Sequence, residues 1–454
     1  SYTQGYKKKT KKKSSGGRAH FFSQFNYNFL DEEDKKSDLE INIQKTSNDT
    51  FFKIHDIDTT LVKGDINILK NTANYTYQDN DTFLGVNISA FEDMSKTDRS
   101  RYEYLVPITF ENNIFSDEKF GFLDFTSNAR IRNYDVNKQT EFFVNDFDWS
   151  SKKWINKMGY ENHFKSLIKT VNYKANNAPD LKVDGNNSEL SGALGFFSKL
   201  ALYKNDLINK NIYSLTPKML VRYAPGHMRN IEGGRLNYSN LFNLSKVDEI
   251  DVVESGFSTA LGFDFKKNKI DLVNGVGEER LSLSMGQVIS ERENMDIPSS
   301  TSLDQRFSDV VGESSLSINN NVKLKYNFSL DQNYKDLNYN EIGVDIDLGK
   351  TKFNIGYLEE KNHIGNQEYV KSDVDLEIND TNLLSFSSKR NLLTSSAEFY
   401  NLSYNYINDC LKAGLAYRRE FYTDRDVEPT NSLMFTISII PFAEINAPSF
   451  AKWK

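Results

Sequence analysis

Hydrophobic residues recur at every second position over most of this chain, and that period of two constrains the fold more than any other feature. The segments "VKLKYNFSLD", "EIGVDIDLG" and "SDVDLEIND" begin at Val322, Glu341 and Ser372. Successive side chains of a β-strand point to opposite faces, so each segment has one apolar and one polar face. The pattern predicts β-strands and is incompatible with amphipathic helices.

Short polar turns separate these segments. Examples are "DQNYKD" at Asp331, "GK" at Gly349 and "NDTN" at Asn379. Strand follows strand with no helical pattern between them, which predicts an up-and-down antiparallel meander. We expect about 20 strands of about ten residues each.

Alternate connections are longer, which predicts long loops on one rim of the sheet and tight turns on the other. This is the layout of outer membrane β-barrels. The segments expected to form long connections are 55–65 (HDIDTTLVKGD), 140–159 (TEFFVNDFDWSSKKWINKMG), 227–256 (HMRNIEGGRLNYSNLFNLSKVDEIDVVESG) and 293–309 (ENMDIPSSTSLDQRFSD).

Composition favours a membrane barrel over a soluble β-protein. Hydrophobic residues make up only 38% of the 454 residues, although aromatic residues reach 13%. A soluble protein of this size needs a thick apolar core, whereas a barrel needs only an apolar outer stripe and accepts charges in a watery lumen. The alternative is a large secreted β-protein with its acidic residues on a solvated face. No run reaches the 18 apolar residues of a membrane-spanning helix.

The polar faces of the strands supply candidates for residues that face the lumen. These are Lys323, Lys325, Asp345, Asp347, Asp373, Asp375, Glu377, Lys412 and Arg418. Such charges could guide a phosphorylated sugar or could simply solvate the interior, and for any individual residue we favour solvation.

Motifs that carry catalysis or bind metals are absent. The five histidines, each more than thirty residues from the next, are His20, His55, His163, His227 and His363. The sequence contains no HExxH, CxxC, G-x-S-x-G or P-loop motif. We therefore expect neither an enzyme nor a metal or other cofactor. A hydrolase site assembled across barrel strands stays open as an alternative.

The first 20 residues are basic, with six lysines between Lys7 and Lys13 and no acidic residue. Runs of this kind are usually solvated loops. The run lacks interleaved aromatic residues and the rest of the chain is acidic, so we expect no nucleic acid partner. We divide the chain into a basic loop or partial strand at 1–20, a transmembrane barrel portion at 21–447 and a tail at 448–454.

The carboxyl-terminal part resembles the end of the lipopolysaccharide-assembly family LptD, also called the organic solvent tolerance family. The similarity lies in Asp409 and Cys410, then the Tyr417–Glu420 segment, then the apolar segment Leu433–Phe442. Further likenesses, each loose but in the family's order, are "NDTFFKIHDID", "RYEYLVPITFEN", "SLTPKMLVRYAPGHMRN" and "LSLSMGQVISERE".

The resemblance implies an outer membrane barrel of 26 strands preceded by a periplasmic β-jellyroll. Against that pattern, the chain is expected to lack the jellyroll and to begin several strands into the barrel. The resemblance also implies a disulfide between Cys410, the only cysteine, and a cysteine of the amino-terminal part. The alternative is a free buried thiol that acts as a small apolar residue.

By the same resemblance, the expected function is insertion of lipopolysaccharide into the outer leaflet of the outer membrane of a Gram-negative bacterium. The expected partners are lipopolysaccharide, outer membrane lipid, a plug lipoprotein similar to LptE and a periplasmic bridge protein similar to LptA. The exit would be a seam between the first and last strands, and the last strand would contribute Leu433, Phe435, Thr436, Ile437, Ile439 and Pro441. A diffusion porin or nutrient channel shares the alternation and the loops and is the alternative function.

Overall fold

The structure, a computed structural model, describes residues 2–6, 13–32, 34–47, 49, 67–178, 185–206, 208–226, 228, 234–247, 249–270, 277–408, 410–421, 431–439, 443–446 and 451–453. Within these ranges it contains 26 strands and two short 3-10 turns at Arg99–Arg101 and Ser299–Thr301. Five strands have five residues or fewer, and the other 21 agree with the expected number of about 20.

The strands are β1 (Tyr2–Tyr6), β2 (Lys13–Asp31), β3 (Lys36–Thr46), β4 (Ile68–Gln78), β5 (Thr82–Asp93), β6 (Tyr102–Asp117), β7 (Gly121–Tyr134), β8 (Lys138–Ser150), β9 (Trp154–Ile155), β10 (Tyr160–Asn176), β11 (Gly185–Leu200), β12 (Leu202–Asp206), β13 (Asn211–Ala224), β14 (Gly256–Ile270), β15 (Gly277–Ser290), β16 (Val310–Asn319), β17 (Val322–Leu330), β18 (Leu337–Asp347), β19 (Thr351–Glu360), β20 (Gln367–Asn379), β21 (Asn382–Asn391), β22 (Ser396–Ile407), β23 (Leu411–Glu420), β24 (Asn431–Ile439), β25 (Ala443–Asn446) and β26 (Ala451–Trp453).

All strands belong to one antiparallel sheet in which almost every strand pairs with its neighbour in the sequence. Two short strands sit beside longer ones, because β9 pairs with β10 and β12 continues β11 along β13. Both β25 and β26 pair with β24. Among the described strands, no ladder joins β1 to the carboxyl-terminal edge. The meander predicted from the alternating pattern is confirmed.

The alternating apolar residues line up across strands on one face of the sheet. One row of directly paired residues crosses eight strands: Val322, Ile346, Phe353, Val374, Phe386, Leu402, Tyr417 and Leu433. Leu402 and Tyr417 remain 44% and 41% exposed. We call this face the outer face. An exposed apolar surface of this extent is what a lipid-facing wall requires.

The opposite, inner face carries the hydrophobic core. Two long connections, the β13–β14 loop (residues 225–255) and the β15–β16 loop (residues 291–309), pack against it. Their buried residues form one cluster with inward residues of β11 and β13 to β16: Phe197, Leu220, Met228, Leu236, Tyr238, Leu241, Val247, Val252, Ala260, Val288, Ile297, Leu303 and Val311. We call the inner face of β7–β16 the covered wall and the inner face of β17–β23 the open wall.

Two of the four predicted long connections, 227–256 and 293–309, match these loops. The interpretation of 140–159 as a single long connection was wrong, because its first part, up to Ser150, belongs to β8. Phe142 and Val144 alternate with Phe143 and Asn145 there, and the buried pair joins a small inner cluster with Val171. The fourth segment, 55–65, lies outside the described residues. No helix in the part of the chain that the structure describes is long and apolar enough to cross a membrane.

Candidate functional site

The residues predicted to face a lumen lie together on the inner face of the sheet. A row of directly paired residues crosses seven strands of the open wall: Lys323, Asp345, Asn354, Asp373, Ser387, Asn401 and Arg418. Every member is polar, whereas the adjacent row on the outer face is apolar. Strand register therefore places residues from distant parts of the sequence in one hydrophilic band. That this band lines a lumen stays a prediction.

Opposite charges pair along this band and remain in contact with solvent. Lys325 Nζ lies 2.9 Å from Asp345 Oδ2, and the two side chains are 56% and 38% exposed. Lys371 Nζ lies 3.1 Å from Asp373 Oδ2. Exposed pairs of this kind contribute roughly 0–1 kcal/mol. The open wall is thus hydrated and carries both signs of charge.

Other predicted residues have individual surroundings. The Asp375 carboxylate accepts a hydrogen bond from Ser385, and Glu377 lies 4.0 Å from Lys352. Asp347 instead accepts a hydrogen bond from the Gly349 amide in the β18–β19 turn. The Asp347 carboxylate therefore stabilises this turn.

At the carboxyl-terminal end of the open wall, Lys412 is exposed while Arg418 is only 8% exposed. The guanidinium of Arg418 lies 4.8 Å from the ring centre of Phe399, within the range of a cation–π interaction. The two basic residues of β23 therefore differ: one is free to meet a ligand in solution, and the other is packed into the wall.

Cys410 lies in the β22–β23 turn, directly before β23, as the sequence indicates. Its amide donates a hydrogen bond of 3.0 Å to Asn408 Oδ1. The thiol is free and exposed, which contradicts the alternative of a buried apolar residue. A pairing with a cysteine elsewhere stays a prediction.

The strand predicted to form one side of a seam is β24. Leu433, Phe435 and Ile437 pair with Tyr417, Leu415 and Ala413, on the outer face. Phe435 is 38% exposed. Thr436 and Ile439 belong to the same ladder, whereas Pro441 lies outside the described residues.

On the covered wall, glycines make room for the β13–β14 loop. A Cβ atom on Gly195 of β11 would lie 2.6 Å from Leu244 Cδ2, and one on Gly286 of β15 would lie 2.5 Å from Leu241 Cδ2. Real Cβ atoms do not approach other atoms so closely. The loop can therefore reach this wall only because these inward positions have no side chain.

Charged residues of the wall hold the same loop in place. Lys169 of β10 is 3% exposed, and its Nζ lies 2.6 Å from Asp146 Oδ2 and 2.5 Å from the Ile250 carbonyl oxygen. Arg130 of β7 lies 3.6 Å from Asp251. At the other side, Arg235 reaches Glu360 of β19 at 3.5 Å. The loop thus extends over the inner face from β7 to β19.

A buried carboxylate joins the covered wall to the edge of the open wall. Asp309 is 3% exposed, and its Oδ2 accepts hydrogen bonds of 2.8 Å from Ser329 and Asn338. His363 Nε2, in the β19–β20 loop, lies 3.2 Å from the same oxygen. Burial opposes ionisation of Asp309, but these neighbours outweigh it and keep its pKa below the usual value. Asp309 in turn raises the pKa of His363.

The sequence reasoning missed the covered wall. It identified the two loops by length but treated them as rim loops, although Leu236, Leu241, Val247 and Val252 give the first loop an apolar content unusual for a solvated rim. Three inward glycines on β11, β14 and β15, which are Gly195, Gly262 and Gly286, were the other available signal. Among the described residues, no group of three or more His, Cys, Asp or Glu side chains has a geometry suited to a metal ion.

The family "LptD: LPS transport system D" matches residues 18–383. A search of curated proteins found no match.

Among solved structures, the copper transporter OprC aligns over 81% of this chain and 68% of its own, at 8% identity and a TM-score of 0.31. The alcaligin outer membrane receptor FauA from Bordetella pertussis aligns over 93% and 72%, at 8% identity and a TM-score of 0.36. The FpvAI–pyocin S2 complex aligns over 92% and 63%, at 9% identity and a TM-score of 0.23. Such low scores carry no argument about function.

The family match covers most of the chain. It runs from within β2 to β20 and includes the whole covered wall and much of the open wall. It agrees with the resemblance seen in the sequence, with the antiparallel sheet and with the apolar outer face. The chain belongs to the LptD family and is an outer membrane β-barrel protein of lipopolysaccharide transport.

Proposed function

We propose that this chain forms the barrel portion of a translocon that inserts lipopolysaccharide into the outer leaflet of the outer membrane, and that it acts as a transporter without catalysis. The observation that carries the proposal is the contrast between the two faces of β17–β23, where a row of polar residues crosses one face and a row of apolar residues crosses the other. Sugar and phosphate groups would follow the hydrated band, while acyl chains would stay with the apolar surface.

The exit would be at the edge of the sheet formed by β24. An edge strand offers unpaired backbone groups. The barrel would close by pairing β24 with a first strand, and the exit would open when these two strands separate. The short partners β25 and β26 occupy part of that edge, so opening would require β24 to exchange partners.

The proposed partners follow from the same function. A plug lipoprotein similar to LptE would contact the part of the open wall beyond β19, which the described loops leave uncovered. A bridge protein similar to LptA would dock on a periplasmic jellyroll. The exposed thiol of Cys410 would form a disulfide with that amino-terminal part in the oxidising periplasm. Mass spectrometry of the unreduced complete protein, in a functional complex, tests this pairing, and a free Cys410 thiol would exclude it.

The experiment that tests the function is photocrosslinking in living cells. A light-activated residue replaces Lys412, on the inner face of β23, and the product is probed for lipopolysaccharide. We expect a crosslinked band that disappears when periplasmic supply of lipopolysaccharide is cut. The matched control is Leu415, on the outer face of the same strand and 45% exposed, where contact with lipopolysaccharide already in the membrane should persist after the cut.

No band at Lys412, Lys323 or Asp375 in a folded barrel would contradict the proposal. A diffusion porin would then account better for the alternating strands, and steady ion conductance of the purified protein would support it.

A further inference from the structure

A cavity of about 330 Å³ lies at the base of the β13–β14 loop. It belongs neither to the polar band of the open wall nor to the proposed seam at β24. It opens between the two long loops, with Arg292 and Met295 among the residues around it. Met295 is 87% exposed, so a ligand can approach from that side. Arg222, Lys246 and Ser258 also line the cavity, and all three side chains are buried.

Two cations at this site share one buried carboxylate. Arg222 and Lys246 are each 1% exposed, and Glu254 is 6% exposed. Arg222 Nη2 lies 3.8 Å from Glu254 Oε2, and Lys246 Nζ lies 3.7 Å from Glu254 Oε1. Both distances exceed the length of a hydrogen bond. The carboxylate therefore neutralises one positive charge but satisfies neither cation fully.

Hydrogen bonds of Arg222, Lys246 and Glu254 that involve main-chain atoms hold the β13–β14 loop in position. Arg222 Nε donates a 2.5 Å hydrogen bond to the Leu244 carbonyl oxygen, and its Nη2 donates to the Glu254 carbonyl oxygen. The main-chain amide of Lys246 donates a 2.8 Å hydrogen bond to Glu254 Oε1. Glu254 is thus held by the backbone at the base of the loop, and the Lys246 ammonium remains beside the cavity.

We propose that this cavity binds a phosphate group, held by the Lys246 ammonium and the Arg222 guanidinium with the Ser258 hydroxyl as a further donor. A buried excess of positive charge is costly unless an anion compensates it or a proton leaves. Phosphate oxygens match both an ammonium and a guanidinium. The lining combines hydroxyl groups with the apolar side chains of Val288, Ile297 and Leu303, which suits a phosphate attached to a larger molecule.

The protonation of Lys246 supports this assignment. Burial and the neighbouring Arg222 lower the pKa of Lys246 to about 7, although Glu254 acts in the opposite direction. An anion in the cavity would favour the charged ammonium and so raise that pKa. Binding near neutral pH should therefore take up protons. The groups that face Lys246 are Arg222 and Glu254, with Arg292, Glu293 and Asp296 elsewhere around the cavity.

The test uses inorganic sulfate, a phosphate-shaped anion that does not itself titrate near neutral pH, with the full chain in detergent. Calorimetry in buffers of different ionisation enthalpy measures affinity and proton uptake together. We expect wild-type protein to bind sulfate with proton uptake at pH 7.5. Lys246→Met should weaken binding at least tenfold and abolish the uptake, whereas Glu254→Gln, which keeps an acceptor oxygen but removes the negative charge, should strengthen binding.

Lys325→Met serves as the matched control, because Lys325 lies on the same inner face but is exposed and paired with Asp345. It should change sulfate affinity by less than twofold. Equal binding by wild type and Lys246→Met, both shown to be folded by heat-modifiable migration, would overturn the proposal. Tighter binding by Glu254→Gln supplies a second, independent criterion, because loss of folding cannot produce it.

A second measurement separates the two sources of a phosphate group, and this part rests on the proposed transport function. A light-activated residue at Met295 should capture lipopolysaccharide in cells, and Lys246→Met should remove that capture, if the phosphate belongs to the cargo. Sulfate binding without capture at Met295 assigns the site to free phosphate. Crosslinking at Lys412 tests the transport function separately. The experiment therefore distinguishes a wrong assignment of the cavity from a wrong assignment of the function.

Discussion

The covered wall and the open wall are made from the same alternating strands, yet their inner faces differ in nearly every physical respect. On the covered wall, Lys169 and its partner Asp146 have side chains only 4% and 13% exposed. On the open wall, Lys352 and Glu377 are 57% and 52% exposed. The difference comes from the two long loops, which exclude water from one wall and leave the other hydrated. Charge pairs of the same chemistry should therefore contribute very different amounts of stability.

The largest effect is expected from Lys169→Met on the covered wall. Removal of this ammonium leaves Asp146 without its charged partner and the Ile250 carbonyl without its donor, and loss of one member of a buried pair costs about 3–5 kcal/mol. Urea unfolding in lipid vesicles measures the loss. Lys325→Met on the open wall is the matched control and should cost less than about 1 kcal/mol. Equal losses would show that water reaches both walls alike.

A somewhat smaller effect is expected when the loop is pushed off the wall. Gly195→Val places side-chain atoms where Leu244 packs, and overpacking of this kind costs about 1–3 kcal/mol. Limited proteolysis should show faster cleavage within 234–247. Gly343→Val is the control, because a Cβ atom there would lie 3.7 Å from Lys325 Cβ, at ordinary contact distance. Unchanged proteolysis in Gly195→Val would mean that the loop does not depend on this contact.

The contact between Asp309 and His363, at the boundary between the walls, should make stability depend on pH. The pKa of His363 is raised chiefly by Asp309 and further by Asp304 and Asp331. A histidine whose pKa is higher in the folded than in the unfolded protein stabilises the fold when it is protonated. This stabilisation is fully present below the unfolded-state pKa near 6.5 and is lost as pH rises through the folded-state pKa.

His363 should therefore stabilise the protein more at pH 5.5 than at pH 8.5, by a difference on the order of 1 kcal/mol. The measurement is the difference in unfolding free energy between wild type and His363→Gln at each pH, from which other titrating groups such as Lys246 cancel because both proteins contain them. A His363→Gln protein with the same pH dependence as wild type would place the titrating group elsewhere.

The smallest effect is expected from the open wall itself. Lys371→Met removes the partner of Asp373 at 3.1 Å, but both groups remain in contact with water. The free energy of unfolding should change by less than about 0.5 kcal/mol. Urea unfolding alongside Lys169→Met gives the comparison directly, and a loss of several kcal/mol would indicate that the open wall is covered in the native protein.

The sequence predicted the strands well because their signal is local. Alternation in 341–348 and 372–379 needs only neighbouring residues to define two faces, and the ladders of β18 and β20 follow it residue by residue. The family resemblance led to the same fold, and the family is confirmed by the match over residues 18–383, which ends before Cys410 and Tyr417. The error at 140–159 arose because Phe142 and Phe143 are both apolar, which obscures the alternation of β8.

The positions of the loops could not be predicted in the same way. Contacts such as Lys169 with Ile250 and Arg235 with Glu360 join residues 81 and 125 positions apart. Nothing within either segment specifies the other, and a glycine such as Gly195 looks like a weak strand residue until Leu244 is seen against it.

The period of two, together with the apolar outer residues, was thus enough to determine an antiparallel barrel wall with one polar face, because strand geometry assigns faces from local order alone. Only the tertiary structure decided which part of that polar face is dry. Burial depends on where two loops of 31 and 19 residues lie, and that position results from many distant contacts acting together. The cavity beside Lys246 exists for the same reason, because its lining comes from β13, β14, β15 and both loops.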